Sequence, residues 1–273
     1  MILNRRTKTV MLTAFVIALL FAIALAGIIM NPQKWAPDYS QRLLFPSPSH
    51  WFGTDYLGRD MFYRTIKGLS TSILIGTLAA TVSAFIALLL GLIAASTGGI
   101  IDKTTAYFVD LFLGVPHMVL LLLISFMLGK GLQGIIIAVA VTHWPSLSRV
   151  IRGEVLQIRE AQYVKTARKM GKTRLETAFS HIIPHIVPQF IIGLILLFPH
   201  AILHEAALTF LGFGLPVDTP AIGIILSESL KHIATGKWHL VLFPGLTLVI
   251  IVMLFDTLGE YARILIDPAS AQE

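Results

Sequence analysis

Cysteine is absent from this sequence, and charged residues are scarce: they make up 13% of its 273 residues, whereas 55% are hydrophobic. Without cysteine the chain has no disulfide framework, no thiolate metal site and no thiol nucleophile, so any metal chemistry would depend on histidine, methionine and carboxylates. Soluble domains contain about a quarter charged residues. The shortage of charge therefore excludes an ordinary soluble domain and indicates a membrane protein.

Long apolar runs take the place of the missing charge. A hydrocarbon core about 30 Å thick requires roughly 20 helical residues to cross it. Six runs meet this length, and they predict an all-α integral membrane protein with six transmembrane helices. The predicted spans are residues 10–30, 73–95, 108–128, 134–151, 186–211 and 238–259. Two prolines are expected to disturb them: Pro116 to kink the third span, and Pro145 to interrupt the fourth.

The net charge of +6 predicts the orientation of these spans. Lys and Arg are most frequent in residues 152–185, so the positive-inside rule places this segment in the cytoplasm, together with both termini. The N-terminal run, which follows Arg5, Arg6 and Lys8, also resembles a secretory signal peptide. Its apolar part of about 20 residues is longer than that of a cleaved signal, which favours an uncleaved first span.

The cytoplasmic segment contains Gly171, Lys172 and Thr173, the triplet that ends a phosphate-binding P-loop. A P-loop also requires a glycine five residues earlier, where this chain has Thr166, and a preceding strand, for which there is no pattern. Gly171 is instead well placed to end a helix in the left-handed conformation, and Thr173 with Glu176 forms a capping box that begins the next helix. The triplet therefore predicts a helix that ends at Gly171, a sharp corner, and a second helix that begins after Thr173.

The first of these two helices, residues 159–170, carries small apolar groups on one side and cations elsewhere. Ala161, Val164 and Ala167 lie at helical spacing, and Lys165 and Arg168 lie off that line. Such a surface suits docking into a groove on another protein. The alternative is a solvated segment that lies on anionic lipid headgroups.

Three ionisable side chains of the fifth span are candidates for contact with a metal ion. Each costs roughly 2.5–3.5 kcal/mol near the bilayer centre on insertion scales, so each needs a partner or a purpose. His200 and His204 are four residues apart and share a helix face, where two imidazoles can hold a borderline metal ion, while Glu205 points about 100° away. The alternatives are hydrogen bonds between helices and a polar wall for another solute. His117 and Met118 are secondary candidates.

Several motifs resemble one family over most of the chain, from about Pro46 to Pro268. The run from Tyr163 to Gly171, "YVKTARKMG", resembles the EAA loop of bacterial ABC importer permeases, although Lys165-Thr166 replaces the usual Glu-Ala. The motifs "FGTDYLGRD", "THWPSLSR" (which contains His143), "LTFLGFGLP" and the terminal "IDP" are similar to those of the dipeptide, oligopeptide and nickel permeases. The histidine pair before "FLG" resembles the nickel permeases more than the peptide permeases.

The external stretch of this resemblance has a chemistry of its own. Asp55 and Arg59, and then Asp60 and Arg64, are acid-before-base pairs at i, i+4, a spacing that supports a helix. We predict that Asp55, Gly58, Arg59 and Asp60 have a structural role, holding the long loop of residues 31–72 at the membrane surface. Direct contact with a solute-binding protein is the alternative.

The resemblance implies a type I ABC importer permease fold, with residues 1–72 as an N-terminal span and external loop and residues 73–273 as the permease domain. It implies that the EAA-type loop, about residues 152–185, forms a coupling helix seated in a cytoplasmic ATPase. The residues expected to serve this coupling are Tyr163, Val164, Lys165, Ala167, Arg168, Gly171 and Thr173.

The resemblance also implies partners and a location. These are a second homologous permease, two ATPase subunits, an extracytoplasmic solute-binding protein and the lipid of a bacterial inner membrane. We expect no catalytic residue, no nucleic-acid contact and no cofactor bound by this chain, because ATP and magnesium would be used by the ATPase subunits. Nickel is the predicted solute, and dipeptides, oligopeptides or a metal chelate are the alternatives.

Two other functions of a membrane protein, secondary transport and catalysis, would each depend on particular residues. A proton-coupled secondary transporter would use His204 and Glu205 as a relay and would need no ATPase. A membrane enzyme would need a nucleophile and a base at the same depth, and the sequence shows no such pair.

Overall fold

The computed structural model describes residues 5–266, and these are almost entirely helical, with no β-strand among them. The C-terminal Asp267 and Pro268 of the "IDP" motif lie outside the described residues. The α-helices are α1 (Arg5–Ile29), α2 (Met61–Thr97), α3 (Gly99–Gly114), α4 (His117–Met127), α5 (Leu132–Arg159), α6 (Gln162–Lys169), α7 (Arg174–Thr177), α8 (Ile183–Phe210), α9 (Ile222–Leu230) and α10 (His239–Ile266).

Five of the described helices are long and apolar enough to cross a membrane: Arg6–Ile29, Met61–Thr97, Leu132–Arg159, Ala178–Phe210 and His239–Ile266. They correspond to the first, second, fourth, fifth and sixth predicted spans. The third predicted span, residues 108–128, is not one straight helix. It is divided between α3 and α4, which together pass the same test but meet at an angle of 97°.

Pro116 accounts for the position of this bend. It precedes α4 in an extended conformation, where its missing N–H costs nothing, and its carbonyl accepts hydrogen bonds from the amides of Val119 and Leu120 at 3.0 and 3.2 Å. The expected kink is therefore a complete break. α4 begins anew in a different direction, which brings His117 to the start of a helix.

Two ion pairs join α3 to the C-terminal half of α5. Arg152 contacts Asp102 through two nitrogens, at 2.5 and 2.7 Å, and Arg149 contacts Asp110 at 2.6 Å. The two aspartates are eight residues apart on α3, whereas their partners are only three apart on α5. Since both helices rise about 1.5 Å per residue, α3 crosses α5 instead of running beside it.

The fourth span was expected to break at Pro145, but α5 continues through it. Thr142 donates a hydrogen bond to the carbonyl of Ala138 at 2.8 Å, and the ring of His143 does the same to Val139 at 2.9 Å. The carbonyl that loses its helical donor at Pro145 is that of Val141, so these two bonds do not replace the missing one; a membrane helix tolerates this loss where neighbouring helices pack against it. The same bonds fix the orientation of His143.

Small residues allow α2 to pack closely at the centre of the bundle. Ala79, Ala80, Ala84 and Ala87 are fully buried there, and a side chain at Gly91 would lie 2.9 Å from the Ser148 carbonyl of α5. Close approach of backbones through small residues is a common way to join helices in lipid. α1 lies at the edge, where only 17% of its apolar window is buried.

The corner at Gly171, between α6 and α7, forms as predicted. Gly171 has a φ of +93°, and Thr173 and Glu176 form a reciprocal capping box: the Thr173 amide donates to the Glu176 carboxylate at 2.7 Å, and the Glu176 amide donates to the Thr173 hydroxyl at 3.2 Å. The backbone bond from Thr173, followed by its hydroxyl, holds the pKa of Glu176 below its ordinary value. Pro184 does not end the second helix, which continues through a π-helical turn, Ala178–Ile182, into α8.

The external loop folds back on itself at Gly58. This residue has a φ of +78°, and a β-carbon there would lie 1.7 Å from the carbonyl oxygen of Asp38. Both the conformation and the close approach require glycine.

We expect Gly58→Ala to lower the thermal midpoint of the purified protein by more than Gly129→Ala does. Gly129 has a similar φ of +82°, but its β-carbon would meet nothing within 4 Å, so its substitution carries only the backbone strain of about 1–2 kcal/mol. Differential scanning fluorimetry of both variants measures the difference. Equal midpoints would show that the contact with Asp38 gives way without cost.

Candidate functional site

Three histidines from three helices meet inside the bundle. His117 begins α4, His143 lies in the middle of α5, and His204 lies near the end of α8. Their ring centroids are 4.6–4.9 Å apart, and one nitrogen from each ring lies within 4.8 Å of the others. We call His117, His143 and His204 the imidazole group.

Hydrogen bonds fix the protonation of His143. Its Nδ1 lies 2.9 Å from the carbonyl of Val139, and a carbonyl oxygen only accepts, so Nδ1 carries the hydrogen. Nε2 then has a lone pair, which accepts a hydrogen bond from Nδ1 of His204 at 3.1 Å. A histidine ring held in this way by a backbone carbonyl is the usual arrangement behind a metal-binding nitrogen.

His117 offers a free nitrogen. Its Nε2 is buried and has no hydrogen-bond partner in the described part of the chain. Nitrogens that bind zinc lie about 2.0–2.1 Å from the ion, which places them roughly 3.0–3.4 Å from one another. The separation between His143 and His204 already has this value, so transfer of the His204 hydrogen from Nδ1 to Nε2 and a rotation of the His117 ring would offer three nitrogens to a borderline ion such as nickel or zinc.

The imidazole group lies at membrane depth. His143 is eleven residues from the start of α5 and six residues before Arg149, or about 16 Å and 9 Å along the helix. It is 5% exposed. Three titratable rings at this depth are a candidate for a solute contact, because polar side chains there mark ion and substrate paths.

The structure does not place His200 and Glu205 in this group, although both were predicted to accompany His204. His200 is exposed and lies one turn earlier in α8. Glu205 is fully buried on another side of α8, where one carboxylate oxygen accepts from the Thr209 hydroxyl at 2.9 Å and the other has no described partner. Helical spacing correctly turned Glu205 away from His204 but could not reveal which other helices supply histidines.

A second cluster of charged residues lies around the start of α2 and the end of α9, in the stretch that was predicted to be external. Arg64, only 2% exposed, contacts Asp55 at 3.0 Å and Glu228 at 2.5 Å, and Arg59 contacts the same two acids at 2.6 and 2.9 Å. The hydroxyl of Tyr56 donates to Glu228 at 3.1 Å, and burial, then the charge of Glu228, raise the pKa of Tyr56. We call these five residues the external ion-pair network.

The predicted pair between Asp60 and Arg64 does not form. Asp60 caps α2 instead, accepting from the amides of Phe62 and Tyr63 at 2.9 and 3.2 Å and contacting His50 at 2.7 Å. Arg64 is therefore free to reach Glu228 of α9. The sequence did not identify Glu228 as a partner of these arginines. The one feature that could have indicated it is that Glu228 is the single acid in the apolar helix Ile222–Leu230.

The family described as "Binding-protein-dependent transport system inner membrane component" matches residues 87–271. The chain belongs to this family. It is therefore a transmembrane permease subunit of an ABC importer, a transport component and not a catalytic enzyme. Importers of this family generally operate with an ATPase and a substrate-binding protein.

Curated relatives of this permease differ in the solute that their names give. A dipeptide transport system permease protein of Bacillus subtilis is 31% identical over 97% of this chain and 83% of its own length. An oligopeptide transport system permease protein of the same organism is 34% identical, over 97% and 87%. A nickel transport system permease protein of Escherichia coli is 33% identical, over 92% and 93%. These similar identities do not decide between peptide and nickel.

Solved structures show the same permease fold. The inward-facing methionine ABC transporter MetNI has a chain that matches with a TM-score of 0.62 at 20% identity, covering 75% of this chain and 97% of that one. An amino acid ABC transporter with histidines matches with a TM-score of 0.55 at 19% identity, covering 73% and 93%. The type I importer permease fold predicted from the motifs is confirmed.

In this permease the predicted coupling residues lie on both sides of α6. Val164 is fully buried against the protein, and Ala167 is half-buried, so the small apolar side that was expected to enter another protein faces the bundle instead. Tyr163, half exposed, and the exposed Lys165 and Arg168 form the outward surface. The physical reason is that the bundle itself needs the apolar stripe to hold α6 in place.

We expect Glu228→Ala to destabilise the permease by about 3–5 kcal/mol, because it leaves the buried Arg64 with one acid fewer. Glu260→Ala is the matched control, since Glu260 is 63% exposed and lies 3.8 Å from its arginine; exposed pairs contribute roughly 0–1 kcal/mol. Chemical denaturation in detergent compares the two. A loss no larger for Glu228 than for Glu260 would contradict the importance of the external ion-pair network.

Proposed function

We propose that this permease forms half of the membrane path of an importer for nickel ions. The observation that carries the proposal is the imidazole group: three neutral-ligand side chains from separate helices converge at membrane depth, with a buried, unpartnered nitrogen on His117 and a hydrogen bond between the rings of His143 and His204. Imidazole is a good ligand for nickel. Peptides have no comparable need for three adjacent imidazoles.

Three imidazoles suit a path better than a storage site. An ion that prefers six ligands leaves several positions for water or for other groups, so the site binds without enclosing its ion. Conduction requires binding that is strong enough for entry and weak enough for release. His200, one turn towards the cytoplasm on the same helix, is placed as a next contact after His204.

The proposed assembly contains a second homologous permease, two cytoplasmic ATPase subunits that use ATP and magnesium, and an extracytoplasmic binding protein. The permease would lie in a bacterial inner membrane with both termini in the cytoplasm. In this orientation the coupling segment, residues 152–185, faces the ATPase subunits and the external ion-pair network faces the binding protein. Residues 1–72 would form the added N-terminal part of the permease domain of residues 73–273.

Nickel binding to the assembled importer, without its binding protein, tests the proposed solute. We expect His143→Ala and His204→Ala each to weaken nickel binding at least tenfold, while His200→Ala, which removes a histidine outside the imidazole group, changes it much less. Equilibrium dialysis measures the affinity, and X-ray absorption at the nickel edge should detect imidazole nitrogens around the ion.

Uptake assays separate nickel from the alternative solutes. Radioactive nickel should enter cells that contain the complete importer, and His143→Ala should abolish this uptake. Uptake of labelled dipeptides that is unaffected by His143→Ala, together with no nickel uptake, would reject nickel and favour a peptide importer.

Coupling through the cytoplasmic corner depends on the left-handed conformation of Gly171. Asparagine tolerates this conformation and valine does not. We therefore expect Gly171→Val to abolish the stimulation of ATP hydrolysis by the loaded binding protein and Gly171→Asn to retain most of it. Stimulation that survives in Gly171→Val would show that the corner is not part of the coupling segment.

A further inference from the structure

A cavity of about 700 Å³ lies at the external ends of the helices, above the level of the imidazole group. Its walls are the start of α5, the glycine-containing loop that follows α8, and the last turns of α9. Gly212 of this loop is eight residues beyond His204, about 12 Å along the chain of α8. Under the proposed function, on which this inference rests, the cavity is the external entrance to the solute path.

The acidic wall of the cavity cannot bind a cation. Glu228 lines it, but one carboxylate oxygen accepts from Tyr56 at 3.1 Å, and the other contacts Arg59 and Arg64 at 2.9 and 2.5 Å. The external ion-pair network contains two acids and two arginines, so its charges cancel. It supports the wall without adding negative charge to the cavity.

Two lysines of the cavity wall have no acidic partner. Among the described residues the ammonium group of Lys231 makes no hydrogen bond or ion pair, and that of Lys130 has only the ring of Phe213, at 5.1 Å from its centroid. The charge of the cavity is therefore positive. A bare divalent cation is repelled by such a charge, whereas a carboxylate is attracted to it and is a good hydrogen-bond acceptor for an ammonium group.

We propose that this cavity binds a carboxylate group of the incoming solute, with Lys130 and Lys231 as the ion-pairing residues. Such a group has two possible sources: the carboxylate of an organic chelator that surrounds a metal ion, or the terminal carboxylate of a peptide. The path then has two binding sites of different chemistry: ammonium groups at its external entrance and imidazoles at membrane depth.

The assembled importer without its binding protein tests this site by calorimetric titration with citrate, triglycine and triglycine amide. We expect the variant Lys130→Gln/Lys231→Gln to bind the carboxylate ligand at least tenfold more weakly. Lys130→Arg/Lys231→Arg should retain binding, because the charge remains. Lys34→Gln is the matched control: its ammonium group also lies over a ring, at 4.9 Å from the centroid of Tyr63, but outside this cavity.

The ligands distinguish the two sources. Binding of citrate alone supports a chelator, and binding of triglycine but not of its amide supports a peptide carboxylate. The proposal would be overturned if triglycine and its amide both bound with the same affinity. It would also be overturned if the wild type and the Lys130→Gln/Lys231→Gln variant bound the carboxylate ligands with the same affinity. Nickel titration of the same samples keeps the proposed function separate, because the double glutamine variant should retain the nickel site of the imidazole group.

Discussion

A polar group in the hydrocarbon core has no water, so it must find its partner inside the protein. This constraint explains most of the polar contacts in the spans. The hydroxyls of Thr77 and Thr81 return to carbonyls of their own helix at 2.7 Å, and Ser70 joins α2 to α1 at 2.6 Å. A few buried polar atoms of the described residues lack such a partner, among them one oxygen of Glu205 and Nε2 of His117, and the His117 nitrogen is the one that lies in the imidazole group.

The sequence predicted local structure where adjacent residues decide it. The capping box of Thr173 and Glu176 and the left-handed Gly171 depend on residues within one turn, and all three are confirmed. The length of the apolar runs predicted the spans for the same reason. Pro116 and Pro145 were harder, since a proline removes the same N–H in each case and only the neighbouring helices decide whether the chain turns.

The candidate site could be predicted only in part, because it is assembled from distant segments. His204 was identified from its own helix, but its neighbours His117 and His143 come from α4 and α5, and the 97° bend at Pro116 brings the first of them into position. The same limit applies to Arg64. The sequence paired it with Asp60, four residues earlier, whereas its partners are Asp55 and Glu228, which are 9 and 164 residues away.

The order of the helices gives the imidazole group a mechanical property. His143 and His204 lie on consecutive spans, α5 and α8, and the segment that joins them contains α6, the Gly171 corner and the π-helical turn. A slide of one residue between these spans is about 1.5 Å, several times the roughly 0.2 Å tolerance of a metal–nitrogen bond. The distance of 3.1 Å between Nε2 of His143 and Nδ1 of His204 therefore depends on the relative position of the two helices. In the proposed nickel path, displacement of the joining segment would itself release the ion.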